Sequence, residues 1–429
     1  MATEEDLPAR TPPIIEIGPE FLGVGNLDEG IELPTGAVWQ PALWVFGEAR
    51  TALQYFDGGQ GTEVAEWANE VDLFANLRLT GTERVLLGIS PISLDGGGKF
   101  TGYIDEPDSQ EGWYDRTNAI IRTLFFEGEF GEIFPDVDPD DSLGLDFGFS
   151  VGRQPLFFQE GMMINDTIDA VGLTRDTIII PGVSVDVRST ALFGWDEVNR
   201  DDNREDRDAY LFGLFNEGDI GASTVQFDVA FVDGGESGND EDGFYVGAAS
   251  IQRMPIFGQT FNTAFRANAS ISTGEDSARV SDGALLFSEI STTPHGADNV
   301  AYLDAFWGID EFSSAARDEA TGGPLGRTGI LFAAVGLGNY GSALSNQAKD
   351  VVGAALGYQM FFNNERTQLV FEVGGRAGTD SNVDDQAALG ARFEQAIGDR
   401  FVFRVDGFVS EQENADMGSG LRSEFLVRF

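Results

Sequence analysis

Cysteine is absent from the 429 residues, which excludes thiol catalysis, disulfide staples and thiolate metal sites together. Lysine is nearly absent: Lys99 and Lys349 are the only two, so almost all basic chemistry falls to arginine. No stretch approaches the roughly 20 consecutive apolar residues that a membrane-spanning helix needs. Met1 is followed by the mostly polar run Ala2 to Arg10 rather than a basic region and an apolar one, so a secretory signal is expected to have been removed if the chain is exported. No proline-rich, serine-rich or low-complexity linker divides the chain, and one large unit is the simplest organisation.

Acid is what the chain has in excess. Its 72 acidic against 26 basic residues give a formal charge of −46, which repels nucleic acid and removes it as a partner. Such a balance suits solubility in a salty medium, and equally suits loops that bind divalent cations or favour passing ones. The 55 glycines, 35 phenylalanines and 42% of hydrophobic residues supply material for an extensive apolar surface.

That apolar material alternates with polar residues. Leu421, Ser423, Phe425, Val427 and Phe429 fall on one face of the C-terminal segment, and Arg422, Glu424, Leu426 and Arg428 on the other. The same period of two runs through Leu143 to Val151 and Val71 to Leu79. Further strands read at about 183 to 196, 224 to 232, 260 to 271, 350 to 362, 366 to 376, 385 to 395 and 400 to 410. Many reach about 10 residues, the length a tilted strand needs to cross a bilayer. The polar faces carry ionised residues mid-strand, which a dry sandwich core could not accept and a water-filled lumen could.

Connection lengths alternate as well. Short links at Thr80 to Glu83, Pro181 to Gly182, Asn363 to Arg366 and Ile397 to Arg400 contrast with long acidic ones at Asp95 to Thr117, Asn199 to Asp208, Asp233 to Asp242, Thr273 to Gly283 and Glu411 to Gly420. Short periplasmic turns with longer external loops mark an outer-membrane barrel. If both termini are periplasmic, the strand count must be even. Gly329 to Gly338 lacks alternation, so Asp310 to Lys349 reads as one long external connection folded into the lumen. The expectation is an all-β, antiparallel, up-and-down transmembrane barrel of about 18 strands, with 16 as the alternative. Residues 1–36 form a periplasmic N-terminal segment and 37–429 the barrel. Phe130, Phe261, Phe362, Phe393, Phe401, Phe403 and Phe429 cluster near the short turns, where an interfacial girdle belongs.

Two resemblances follow from these residues. The last strand, with Phe425, Val427 and the terminal Phe429, resembles the signal that the barrel-assembly machinery of Gram-negative bacteria recognises. Gly152, Arg153 and Gln154, then Gly161, then Asp169, Ala170, Val171 and Leu173, are similar to the pattern of alginate-export-type barrels and related porins. That family implies an 18-stranded monomeric barrel with loops constricting its channel. The arginine-dominated lumen of a polyanion exporter is not reproduced, so the resemblance leaves the solute open.

Projected onto the water-facing rows, the lumen lining comprises Arg50, Arg78, Arg188, Arg266, Arg376, Arg392, Arg404 and Arg422. Opposing them are Glu48, Glu70, Asp72, Asp146, Asp186, Asp228, Asp304, Glu372, Glu394, Asp406 and Glu424. Opposite charges across a pore set a transverse field that selects ions and polar solutes, while the same pairs can also brace neighbouring strands. Arg153, Phe157 and Phe158, in a segment running on to Met163, are the constriction candidates beside the 310–349 loop. Asp136, Asp138 and Asp140 have carboxylates spaced for calcium but lack the glycine and closing glutamate of a calcium loop. Acidic residues at 201–208 and 236–242 could bridge to lipopolysaccharide through divalent ions. The single histidine, His295, falls in a periplasmic turn, away from any catalytic partner, so no enzyme is expected. The expected function is passive diffusion of small polar or charged solutes, without cofactor. A polysaccharide-export or partner-gated secretion barrel, and a secreted soluble acidic β-protein, are the alternatives.

Overall fold

The computed structural model describes residues 12–19, 29–61, 63–92, 101–137, 139, 144–201, 205–235, 241–274, 277 and 279–429. Within them, eighteen antiparallel strands close into one barrel. In chain order they are β1 Ala42–Asp57, β2 Glu63–Arg78, β3 Arg84–Ile92, β4 Thr117–Glu129, β5 Phe147–Phe158 and β6 Ile164–Ile180. Then come β7 Ser184–Asp196, β8 Tyr210–Ile220, β9 Ser223–Asp233, β10 Gly243–Ile256, β11 Gln259–Ser272 and β12 Gly283–Thr292. The last six are β13 Val300–Glu311, β14 Lys349–Phe362, β15 Thr367–Gly378, β16 Gln386–Ile397, β17 Phe401–Gln412 and β18 Gly418–Arg428. Each strand pairs with the next, and β18 returns to β1 from Ser419↔Asp57 to Arg428↔Glu48, so no edge is left exposed. The count of 18 expected from connection parity is the count observed, and 16 is excluded.

Alternation decides which face meets water. On β1, Ala52 and Gln54 are buried inside, while Leu53 between them is 65% exposed on the outer wall. Phe227, Leu356, Leu389 and Leu421 are each more than half exposed in the same way. An outer belt this apolar is too extensive for a soluble monomer and fits the hydrocarbon of a bilayer, so the barrel is transmembrane.

Turns of two to seven residues join most strands at one end, as at 79–83, 221–222, 257–258 and 293–299. The other end carries most of the longer connections, including the segment between β13 and β14, beside short turns at 159–163 and 413–417. One long connection breaks the rule. Residues 130–146, with a short helix at Phe130–Ile133, link β4 to β5 at the short-turn end. There the expected strand from Leu143 must be corrected: β5 begins at Phe147, Leu143 lies outside the described residues, and Asp146 is an exposed residue below the strand.

The chain ends meet in one strand position. Phe429 exchanges both backbone hydrogen bonds with Gly47, at 2.7 and 3.0 Å, and Ile14 N–H donates to Val45 at 2.7 Å. Ile15–Ile17 then pairs with Leu43 to Val45, continuing the column that β18 leaves. Phe425 and Val427 stand on the outer row with Phe429, and Phe425 stacks on Phe401 with ring centroids 5.5 Å apart.

Candidate channel lumen

The inner faces of β16, β17, β18, β1 and β2 carry a lattice of alternating charge. Register places Glu394, Arg404 and Glu424 side by side, with Arg392, Asp406 and Arg422 two residues along. Arg404 reaches Glu394 at 2.5 Å and Glu424 at 3.3 Å, while Asp406 accepts from Arg392 at 2.5 Å and Arg422 at 3.1 Å. Arg50 bridges Glu424 at 2.7 Å and Glu70 at 3.1 Å, and Arg422 also contacts Glu424. Glu424 and Arg422 are each only 1% exposed, so these groups are held by one another rather than by bulk water.

Other expected lumen residues also take inward positions. Asp72 accepts from Ser90, Arg78 lies 5.1 Å over the Trp44 ring, and Glu48 stands 4.0 Å from Arg428 near the short-turn rim. Arg266 is buried against Glu289, and Asp228 accepts from Gln159 at 2.7 Å. Asp304 is buried on the inward row of β13, while Asp186 and Arg188 share that of β7, Arg188 pairing with Asp176 at 2.5 Å. The inner row of β3 to β7 is poorer in charge through its middle, with Gly88, Ser90, Thr123, Ser150, Gly172, Thr174 and Thr190 beside the larger Leu86, Phe125, Gln154 and Leu192. Thr174 and Thr190 hydrogen-bond at 2.8 Å.

Two segments fold inward across this lumen. The first is the connection from 312 to 348, which docks on the charged wall through its backbone. Glu372 accepts the N–H groups of Ile330 and Leu331 at 2.8 and 2.9 Å, and Glu66 accepts that of Asn339 at 2.6 Å. Arg50 donates to the Val335 carbonyl, Gln54 to that of Leu337, and Arg376 to those of Ser345 and Gln347. Gly329 and Gly338 make this approach feasible. Both have φ of +64°, and a Cβ on either would lie 2.1 Å from an oxygen of Glu372 or Glu66.

The second segment is the tip of the β5–β6 hairpin, a turn of 159–163 that is short although it lies at the long-loop end. Phe158 stacks on Phe215 of β8 at 3.5 Å, Met163 joins a buried cluster with Leu211, Val232 and Tyr245, and Met162 joins another with Leu285, Phe287 and Phe306. The two segments are joined to each other. Ala316–Arg317 pairs in parallel with Ile164 and Asn165, and buried Arg317 donates to the carbonyls of Gly161 and Met162. Burial pulls the Arg317 guanidinium down to about 10. Where the segments meet, Arg327 pairs with Glu160 at 3.1 Å and lies 5.7 Å from the centre of Phe157, which is 48% exposed.

Several expectations need correction. Arg153 stands on the outward row of β5 with Val151, opposite Leu124. It is tied to Asp169 at 2.9 Å and Glu197 at 2.8 Å, so it braces the shoulder of the hairpin instead of lining its inward face. Asp146 belongs to the rim and not to the wall. Of the 201–208 acids, Asp201 and Asp206 are not free to bridge to lipopolysaccharide, since Asp201 accepts from Ser314 N–H and Asp206 is buried between Arg200 and Arg279, while Asp208 is exposed. Asp202, Glu236 and Asp240 lie outside the described residues, as do Asp138 and Asp140, while Asp136 is exposed. Among the described residues no group of three acidic or histidine side chains is arranged around a metal position. His295 is exposed in the 293–299 connection at the short-turn end.

Sequence reading missed Gln54, Glu66, Arg200, Arg317 and Arg327. Gln54 and Glu66 lay on a readable inward row, but the long connections lack the alternation that would place the three loop arginines. Only the folded contacts distinguish them.

The sequence matches no family model and no curated protein. Solved structures do match. The outer membrane protein opdK from Pseudomonas aeruginosa aligns with a TM-score of 0.58 at 10% identity, covering 90% of this chain and 98% of the other. The fold is that of an outer-membrane porin. A BenF-like porin from Pseudomonas fluorescens Pf-5 aligns at 0.58 and 11% identity, over 90% of this chain and 99% of its own. Wzi, an outer membrane protein involved in capsule assembly in Escherichia coli and described as a carbohydrate-binding β-barrel, aligns at 0.53 and 10%, over 89% and 84%.

Proposed function

We propose that this chain is an outer-membrane channel through which small polar or charged solutes diffuse passively, without energy input or cofactor. The observation that carries the reading is a closed transmembrane barrel whose inner wall bears a lattice of ionised side chains, with two inward segments narrowing it. Charged rings at a constriction select among solutes by field and size, and no chemistry is asked of the protein. Acids outnumber arginines on the inward rows, so a modest preference for cations follows. The outer row of Phe425, Val427 and Phe429 suits recognition by the barrel-assembly machinery, with outer-membrane lipid covering the belt above it. Planar-bilayer recordings test the reading: a stable conductance with a reversal potential shifted toward the cation is expected, and a correctly inserted barrel without conductance contradicts it.

A second reading, a barrel opened by a partner for export or secretion, is favoured by how firmly Arg317, Glu372 and Glu66 fix the inward segments. It would give no conductance in isolation and conductance once the partner is added.

A further inference from the structure

Above β3, the upper half of β2 pairs with a hairpin built from Thr101–Glu106 and Gly112–Tyr114. Its inner face is spoken for: Ile104 and Tyr114 pack with Ala52, Ala68 and Leu337. Its outer face carries a row in register, Leu53 beside Trp67, Trp67 beside Tyr103, and Tyr103 beside Trp113. Trp113 is 73% exposed, and its ring centre lies 5.8 Å from Trp67 and 5.3 Å from Tyr103, edge to face. A contiguous aromatic surface left this bare marks an interaction site.

Height and charge say what covers it. Just below the row, on the same outer face, Trp67 Nε1–H donates to Thr51 Oγ1 at 2.8 Å, Thr51 donates to Asn69 at 2.7 Å, and Asn69 donates to the Thr101 carbonyl at 2.9 Å. This polar strip interrupts the apolar belt above Ala49, Val71 and Leu73, so the row of Leu53, Trp67, Tyr103 and Trp113 stands at the upper margin of the belt, where acyl chains give way to headgroups. Its neighbours Asp105, Glu106, Asp108 and Glu111 are acidic, and Tyr103 donates to Glu111 at 3.0 Å. Phosphate would be repelled there. A pyranose ring fits: its C–H faces lie against aromatic rings, and its hydroxyls donate to carboxylates.

We propose that this row docks the saccharide part of the glycolipid in the outer leaflet. The inference rests on the outer-membrane reading above. The test uses the full chain in phosphatidylcholine bilayers containing lipopolysaccharide with its core sugars, or lipid A alone, and follows acrylamide quenching of tryptophan and thermal stability. Core-bearing lipopolysaccharide should protect against quenching and stabilise the barrel, and lipid A should do neither. Trp113→Ala should weaken the association about tenfold, as expected for loss of a central aromatic contact, while Trp113→Tyr keeps most of it. Trp113 is mostly exposed, so both variants should fold and conduct as the parent does. Equal protection by lipid A, or protection abolished by chelating divalent ions, overturns the proposal. A barrel that inserts and conducts but shows no core-sugar dependence overturns this inference alone; one that fails to insert overturns the outer-membrane reading with it.

Discussion

The lumen has two unlike walls. From β15 through β18 to β2 it is a lattice of arginine and carboxylate, and from β3 to β7 its middle is glycine, serine and threonine with Leu86, Phe125, Gln154 and Leu192 among them. The charged wall is also where the 312–348 segment docks, its backbone amides and carbonyls meeting Glu372, Glu66, Arg50, Gln54 and Arg376. A backbone crossing a lumen needs partners for every amide and carbonyl it buries, and a wall of ionised side chains provides both donors and acceptors. The hydroxyl wall has fewer and weaker groups to offer.

The largest effect should come from the centre of the lattice. Glu424→Ala leaves Arg50, Arg404 and Arg422 facing one another, and removing one partner of a buried network costs about 3–5 kcal/mol. Urea unfolding of the refolded barrel measures it, and a loss under about 1 kcal/mol would show that water already solvates these groups. Phe158→Ala removes the stack on Phe215 and should cost about 3 kcal/mol, loosening the hairpin tip with it. Gly338→Ala puts a side chain at φ of +64° against Glu66, costing about 1–3 kcal/mol and lifting the segment from the wall. A higher single-channel conductance should accompany that loss. The contrast between walls is sharpest at the small end: Thr174→Val on the hydroxyl wall should cost about 1 kcal/mol or less and leave the reversal potential unmoved, whereas Arg404→Ala should shift it further toward cations. If the two substitutions shift selectivity alike, the walls do not differ in function.

Much of this architecture was readable because period two and connection length are local signals. The strands over β7, β9, β11 and β14 to β17 begin and end within two residues of where alternation placed them, and excluding Gly329 to Gly338 as a strand gave the even count. Inward and outward rows followed from the same alternation, which is why Arg50, Arg404, Asp406 and Glu424 could be named together. The failures have two sources. Arg153 was named as a constriction candidate although alternation along β5 puts it on the outer row, where Asp169 and Glu197 hold it; the others are non-local. Arg200 and Arg317 belong to long connections without alternation, which places no individual side chain, and Arg317 is buried by partners more than a hundred residues away, Gly161 and Met162. The β5–β6 turn, Gln159 to Met163, carries two methionines whose burial was visible only once the opposite strands were placed.

The most direct test of the channel account compares single-channel conductance of the parent with that of Glu372→Ala, in which the Ile330 and Leu331 amides lose their acceptor. A small, stable, cation-preferring conductance is expected in the parent, with a rise of roughly twofold or more in the variant as the inward segment leaves the wall. No conductance in either, from barrels shown to be inserted, would contradict it.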